Sequence, residues 1–359
     1  MCAGAAVDRA AEATDEPPLP DAFEFPDLAA ELARGAFARA FASGRVLADT
    51  VDESLLPQEL PYEAWLRQRL ALAADDSIEA CSALGFGLAP PQWKLTPAHL
   101  RVGHDHLALA EPAQLQLSDA EAHALADAAR PVLAAEGWQL TVAAPLHWFL
   151  GGGPPLRVRA RAWNMASGHN VDAYLPEGED ARRWRRLLTE IQMIWFDHPV
   201  NRERELRHLP TVNMLWLDGR CVTPRREHGG DSARRTAVCT RDAAVAGAAI
   251  AAGFDVIDVD PLAFDADRLA ANATQDLLVD VPSWRAARRT GDLHGWIEAW
   301  RAFDAWCAGL PALMRGRGRA DRLDAVFSAE RRRVELTTGG PGKWMFWRRL
   351  DAVSRVLRG

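Results

Sequence analysis

Apolar and polar positions recur with two different periods along this chain, and the change of period marks its elements. From Phe23 to about Leu88 apolar residues return at three- and four-residue spacing, as at Trp65, Leu66 and Leu70, which predicts a mostly helical segment. Ala98–Val102 and His106–Ala110 then predict two short strands about a Gly103-His104-Asp105 turn. Ser118 followed by Glu121 has the form of a capping box, so a helix is expected from there toward Gly137, with Pro131 as a candidate kink. Trp138–Phe149 predicts a further strand and Gly151–Pro155 a loop. Together these elements predict a small α+β lobe.

Trp184, Leu187, Leu188, Ile191 and Trp195 fall on one face of a helix running from about Asp180 to Asp197, with four arginines mostly off that stripe. The rhythm afterwards is strand, helix, strand: Asn213–Leu217, Thr236–Thr240, Ala243–Ala252, Asp255–Val259 and Leu277–Val281. Such alternation predicts an α/β fold with a mainly parallel sheet covered by helices. Leu293, Trp296, Ile297, Trp300, Phe303 and Cys307 form the stripe of a last long helix, capped by Asp292 and stopped by Gly309, and its tryptophans read as core. The expected organisation is therefore a tail over 1–22, a helical N-terminal part of the core over 23–95, the α+β lobe over 96–210, and the α/β core over 211–359.

Composition narrows the class. A hydrophobic fraction of 48% with 25% charged residues is that of a water-soluble protein, and no run of eighteen apolar residues is present, so membrane insertion is not expected. The opening residues are acidic and proline-containing where a signal peptide would be basic and then apolar, and they read as a disordered tail. Cys2, Cys81, Cys221, Cys239 and Cys307 are scattered without a C-x-x-C pair, which fits a reducing cytoplasm. A net charge of −7 argues against nucleic acid as a partner. The arginine runs at 182–186 and 315–319 read as solvated surface, and the basic, aromatic stretch Gly339–Arg349 as an anchor for the C-terminal helix.

The densest candidate chemistry is His198-Pro199-Val200-Asn201 with Arg204, followed by Thr211-Val212-Asn213 at the start of a buried strand. His198, Asn201, Arg204 and Asn213 could converge on a phosphate or carboxylate, with Arg204 giving the bidentate contact. Equally, His198 and Pro199 could end the long helix, Asn201 satisfy its last carbonyls, and Asn213 fix the loop to the sheet. His99, His104 and His106 form a second constellation about the turn, in a spacing that matches no standard zinc pattern. Glycines 151 to 153 fit no phosphate-binding signature and read as a linker.

The string H-P-V-N-x-x-R followed by V-N-x-L-W-L-x-G resembles the archaeal-type cofactor-independent phosphoglycerate mutases of the alkaline phosphatase superfamily, and still more closely a bacterial branch labelled regulatory protein of the RpfE type. The likeness covers about 145–335 and, more faintly, 80–145. It implies a reduced alkaline phosphatase-like core. The family's metal-binding run after a strand corresponds here to Asp280–Asp292, which sets Arg285 at a ligand aspartate and Arg289 at a ligand histidine. The second metal element corresponds to Phe327–Arg331, where Glu330 could still ligate and Arg331 could not, because a guanidinium stays protonated and offers no lone pair. The family's opening D-G-x-x-D after a first strand has no counterpart in residues 1–60, and its serine nucleophile has no placeable equivalent. Asp218-Gly219-Arg220 stands where the relatives carry a tryptophan and paired glycines.

The resemblance thus implies a non-catalytic regulatory or ligand-sensing protein with no catalytic residue, metal or cofactor. Its candidate partners are a small phosphorylated or carboxylate ligand and another protein. Two alternatives stand beside it. One is a metal-dependent isomerase, phosphotransferase or phosphatase in which Glu330, Asp280 and the hairpin histidines rebuild a site; the other is an interaction scaffold with a tryptophan-rich surface.

Overall fold

The structure, a computed structural model, describes residues 26–54, 56–90, 92–103, 107–222, 236–263, 276–281, 287, 292–310, 322–339 and 352–357. The chain begins with α1 (Pro26–Leu32), α2 (Ala36–Phe41), β1 (Arg45–Val51), α3 (Pro61–Arg69) and α4 (Ile78–Gly85). It continues through β2 (Gln92–Ala98), a hairpin of β3 (Leu100–Val102) and β4 (Leu107–Leu109), α5 (Asp119–Ala135), and a second hairpin of β5 (Trp138–Ala144) and β6 (His147–Gly152). Next come α6 (Trp163–Ala166), α7 (Ala181–Phe196), α8 (Pro199–Leu206) and β7 (Met214–Cys221). The remainder is β8 (Thr236–Cys239), α9 (Ala243–Ala252), β9 (Asp255–Ile257), β10 (Asp276–Val279), α10 (Leu293–Cys307), β11 (Arg322–Ser328), β12 (Arg332–Gly339) and α11 (Ala352–Leu357).

These elements form two compact units. One is Pro90–Val222; the other joins Pro18–Ala89 to Thr223–Gly359. The Pro90–Val222 unit carries a four-stranded sheet in the order β5-β6-β2-β7, antiparallel throughout. Because side chains alternate across a strand, Leu95 lies beside Trp148 and Leu217 on one face, while Thr96 pairs with Trp216 on the other. α5 and α7 pack on the first face: Trp148 meets Trp195 edge-on at 5.9 Å, and Trp195 Nε1 donates to Leu125 O at 2.9 Å. The predicted stripe of α7 is the face buried there, from Trp184 to Trp195. The capping box of α5 is present, with Glu121 N donating to Ser118 Oγ at 3.3 Å and Ser118 N to Glu121 Oε2 at 2.9 Å. α5 continues through Pro131 to Ala135.

The second unit contains a sheet β1-β12-β11, antiparallel, and a sheet β10-β8-β9, parallel. An aromatic core joins α2, α10 and the first of these, with Phe37 edge-on to Trp300 at 5.9 Å and to Phe327 at 5.2 Å. α4 and α9 approach so closely that a Cβ on Gly247 would lie 1.7 Å from Cys81 O, which requires glycine there.

The expectation of a mainly parallel sheet is overturned. Three of the four sheets among the described residues are antiparallel, and parallel pairing is confined to β8, β9 and β10. The strand–helix–strand rhythm extends only over 236–279; β7, read as its first strand, pairs antiparallel with β2 instead. Three local readings change as well. Arg45–Val51, inside the segment expected to be helical, is a strand paired with β12. Trp138–Gly152 is a hairpin, not one strand, and Gly151 and Gly152 belong to its second arm. None of the described tryptophans is exposed, so the tryptophan-rich surface of the scaffold alternative is absent among them. No helix among the described residues is long and apolar enough to cross a membrane.

Candidate functional site

The residues picked out from the sequence meet at one place in the Pro90–Val222 unit, where the loop Pro210–Asn213 passes between α8 and β7. His198 is the N-cap of α8, its Nδ1 accepting from Val200 N at 3.2 Å. Asn201, on the buried face of α8, donates from Nδ2 to Trp195 O at 2.8 Å and Val212 O at 2.9 Å, and its Oδ1 accepts from Val212 N at 2.8 Å. Arg204 is fully buried. Its Nε donates to Pro210 O at 2.8 Å, its Nη1 to Glu121 Oε1 at 2.9 Å, and its Nη2 to Leu115 O. Asn213 Oδ1 accepts from Leu100 N at 2.7 Å and its Nδ2 donates to Leu100 O at 3.1 Å, so its amide pairs with β3 much as another strand would.

The polar groups of Asn201, Arg204 and Asn213 therefore hold α8, α5 and the β3–β4 hairpin to one loop, while His198 caps α8 itself. His99 adds a fourth tie through Nδ1, 2.7 Å from Thr211 O. A carbonyl only accepts, so that nitrogen carries the proton. His104 and His106 lie outside the described residues. Burial lowers the pKa of His99 below the ordinary 6.5; the Thr211 carbonyl opposes this, while Arg101 and Arg204 add to it. Burial lowers His198 likewise. For Glu121 burial is the largest influence and raises the carboxyl. Hydrogen bonds from Ser118 together with Arg204 outweigh it and leave Glu121 below its ordinary 4.5.

A second polar group, missed in the sequence, lies on the other face of the same sheet. Thr96 Oγ1 donates to Asp218 Oδ2 at 2.6 Å, and Lys94 Nζ lies 3.1 Å from Thr96 Oγ1 and 3.5 Å from Asp218 Oδ2. All three residues are buried. Asp218 Oδ1 accepts from Trp163 N at 2.7 Å, fixing the start of α6, and Trp216 Nε1 donates to Arg161 O at 2.8 Å. Arg161 is itself buried; its Nη1 reaches Ala173 O and Glu177 Oε1, both at 3.3 Å, while its Nε has no hydrogen-bond partner among the described residues. Asp218 was noted only as a departure from a family pattern, and Lys94 lies in a strand that the apolar pattern did not predict. A lysine and an aspartate inside otherwise apolar runs were the available signal.

In the other unit, Asp280 follows β10 and its Oδ2 accepts from Thr240 Oγ1 at 3.0 Å. Glu330 and Arg331 form the turn between β11 and β12, closed by Ala329 N donating to Arg332 O at 2.7 Å. Arg285 and Arg289 lie outside the described residues. Among the described residues, no group of three or more His, Cys, Asp or Glu side chains comes together to hold a metal ion.

No protein-family model matches the chain, and no curated protein matches it. Solved structures similar to it over most of its length include two archaeal proteins. A cofactor-independent phosphoglycerate mutase from Thermoplasma acidophilum DSM 1728 is 13% identical with a TM-score of 0.39, over 89% of this chain and 85% of that one. The PH0037 protein from Pyrococcus horikoshii is 12% identical with a TM-score of 0.46, over 89% of this chain and 83% of that one. At these values neither likeness assigns a site or an activity.

Proposed function

We propose that this chain is a phosphoglycerate mutase-like protein, of the RpfE-type branch, with a degenerate metal site and a regulatory or ligand-sensing role without phosphoryl transfer. One observation carries the reading: Arg285, Arg289 and Arg331 stand where the resembling family places metal ligands. A guanidinium repels a divalent cation, and without such cations the charge developing on a transferred phosphoryl group loses its main stabiliser. The geometry at Asp280 and Glu330 supports this. The first is bonded to Thr240 and the second sits in a tight hairpin turn. The donor set of the resembling enzymes does not fit the residues present, and no step through a metal follows.

The ligand class suited to His198, Asn201, Arg204 and Asn213 is a small phosphorylated or carboxylate molecule. Such a ligand would have to replace Glu121 on Arg204, so its binding would loosen the tie between α5 and α8. Occupancy would then register as a change in the junction itself, which suits sensing better than turnover.

Calorimetric titration of the metal-free protein with manganese, run at two temperatures, is expected to give no saturable heat. A coupled assay for interconversion of phosphoglycerates with manganese present is expected to show none. Turnover in that assay would falsify the reading.

A further inference from the structure

Among the described residues of the Pro90–Val222 unit, the six exposed large hydrophobics, Val102, Leu107, Met193, Ile194, Phe196 and Leu206, lie on three elements: the β3–β4 hairpin, the end of α7, and α8. These are the elements that the Pro210–Asn213 loop ties together. Phe196 is 80% and Leu206 82% exposed, and Met193, one helical turn before Phe196, is 72% exposed. Apolar side chains concentrated at one end of a unit mark a surface that is covered in use.

The outward stripe of α8 says what covers it. Asn201 and Arg204 face inward, and the exposed positions at i, i+3, i+4 and i+7 are Pro199, Arg202, Glu203 and Leu206. Their order is apolar, cation, anion, apolar. An antiparallel second copy of α8, related by a two-fold axis between Arg202 and Glu203, sets every position against its complement. Arg202 then faces Glu203 of the partner subunit, Glu203 faces Arg202 of the partner subunit, and Leu206 meets Pro199 of the partner subunit. That reciprocity is what an isologous contact requires. Arg202 already pairs with the exposed Asp197 of its own chain at 3.0 Å, so Glu203 of the partner subunit would share that guanidinium with Asp197. Glu203, Glu205, Arg207 and Arg101 make no ion pair among the described residues, and two carry each sign. An anionic surface would call for a net positive face instead.

We propose that this face pairs with a second copy of the same chain about a two-fold axis through α8, with Met193, Phe196 and Leu206 as its apolar anchors. The pairing is independent of whether the protein senses a ligand. Sedimentation velocity of the full chain across a concentration series tests it. The wild type is expected to pass from monomer to dimer, and F196E/L206E to remain monomeric with unchanged far-ultraviolet circular dichroism. R202E alone and E203R alone each place like charges across the axis and are expected to weaken the dimer by about tenfold or more. The double exchange R202E/E203R restores opposite charges and is expected to return the affinity to within about threefold of wild type. A wild type that stays monomeric at every concentration overturns the proposal. So does a dimer indifferent to F196E/L206E, or a double exchange no better than the single reversals.

Discussion

Lys94 and Asp218 are buried side chains of opposite formal charge, 3.5 Å apart inside a sheet, and their energetics depend on both being there. Burying a charge costs several kcal/mol, which its partner offsets only in good geometry; removing one member therefore harms more than replacing both. Asp218→Ala removes the carboxylate facing Lys94 and the acceptor of Trp163 N, and is expected to destabilise the fold by about 3–5 kcal/mol. Lys94→Met with Asp218→Leu should lie well short of the two single losses added together. Urea denaturation of the wild type, Lys94→Met, Asp218→Leu and the double variant measures the cycle, and strictly additive losses would show that the pair acts as two unrelated residues. His198, Asn201, Arg204 and Asn213 were visible in the sequence as a polar group where a helix meets a strand. What they bind was not visible, because an amide or guanidinium that grips backbone carbonyls has the same sequence signature as one that grips a ligand. Lys94 was hidden for a different reason: the strand reading began only at Ala98, whereas the strand that carries Lys94 is Gln92–Ala98.

At the scale of elements, α8 is held by groups that titrate. His198 caps its first turn only while Nδ1 is unprotonated, and burial lowers the pKa of both His198 and His99 below the ordinary 6.5. The unfolded chain therefore binds protons more readily than the folded one as the pH drops past about 6.5, and stability falls with it. The contribution is fully present above that value and is lost toward the depressed folded pKa values. Glu121 adds a second loss of the same sign at lower pH, below its ordinary 4.5, when its carboxylate ceases to accept from Arg204. The urea midpoint is thus expected to be lower at about pH 5.5 than at about pH 7.5, and His198→Asn, which keeps an N-cap acceptor, should flatten part of that slope. A midpoint that rises on acidification, or a variant with the full slope, would remove His198 from the account. Elements defined by local pattern were legible: the α7 stripe, the α5 capping box, the α10 stripe. Strand partners were not, because β2 with β7 and β1 with β12 are joined across long stretches of chain, and alternation records burial without recording direction.

For the whole molecule, the informative pairing is Gln92 with Cys221. The first and last strands of the Pro90–Val222 unit lie side by side and antiparallel, so its two ends emerge together at the same end of neighbouring strands. A segment with adjacent ends and its own core can be inserted into, or removed from, another unit without opening either. Among the described residues its own elements build a core: α5 and α7 lie on one face of the sheet, the Lys94–Asp218 group and α6 on the other, and the Pro210–Asn213 loop closes the end. Residues 90–222 expressed alone are accordingly expected to unfold in a single cooperative urea transition with an ordered near-ultraviolet spectrum from Trp148, Trp184, Trp195 and Trp216. A fragment with far-ultraviolet signal but no near-ultraviolet signal would mean that the rest of the chain is needed to order this core. The same fragment separates two properties. If it dimerises as the full chain does and responds to R202E/E203R in the same way, the pairing face belongs to this unit alone and does not require the parallel strands β8 to β10.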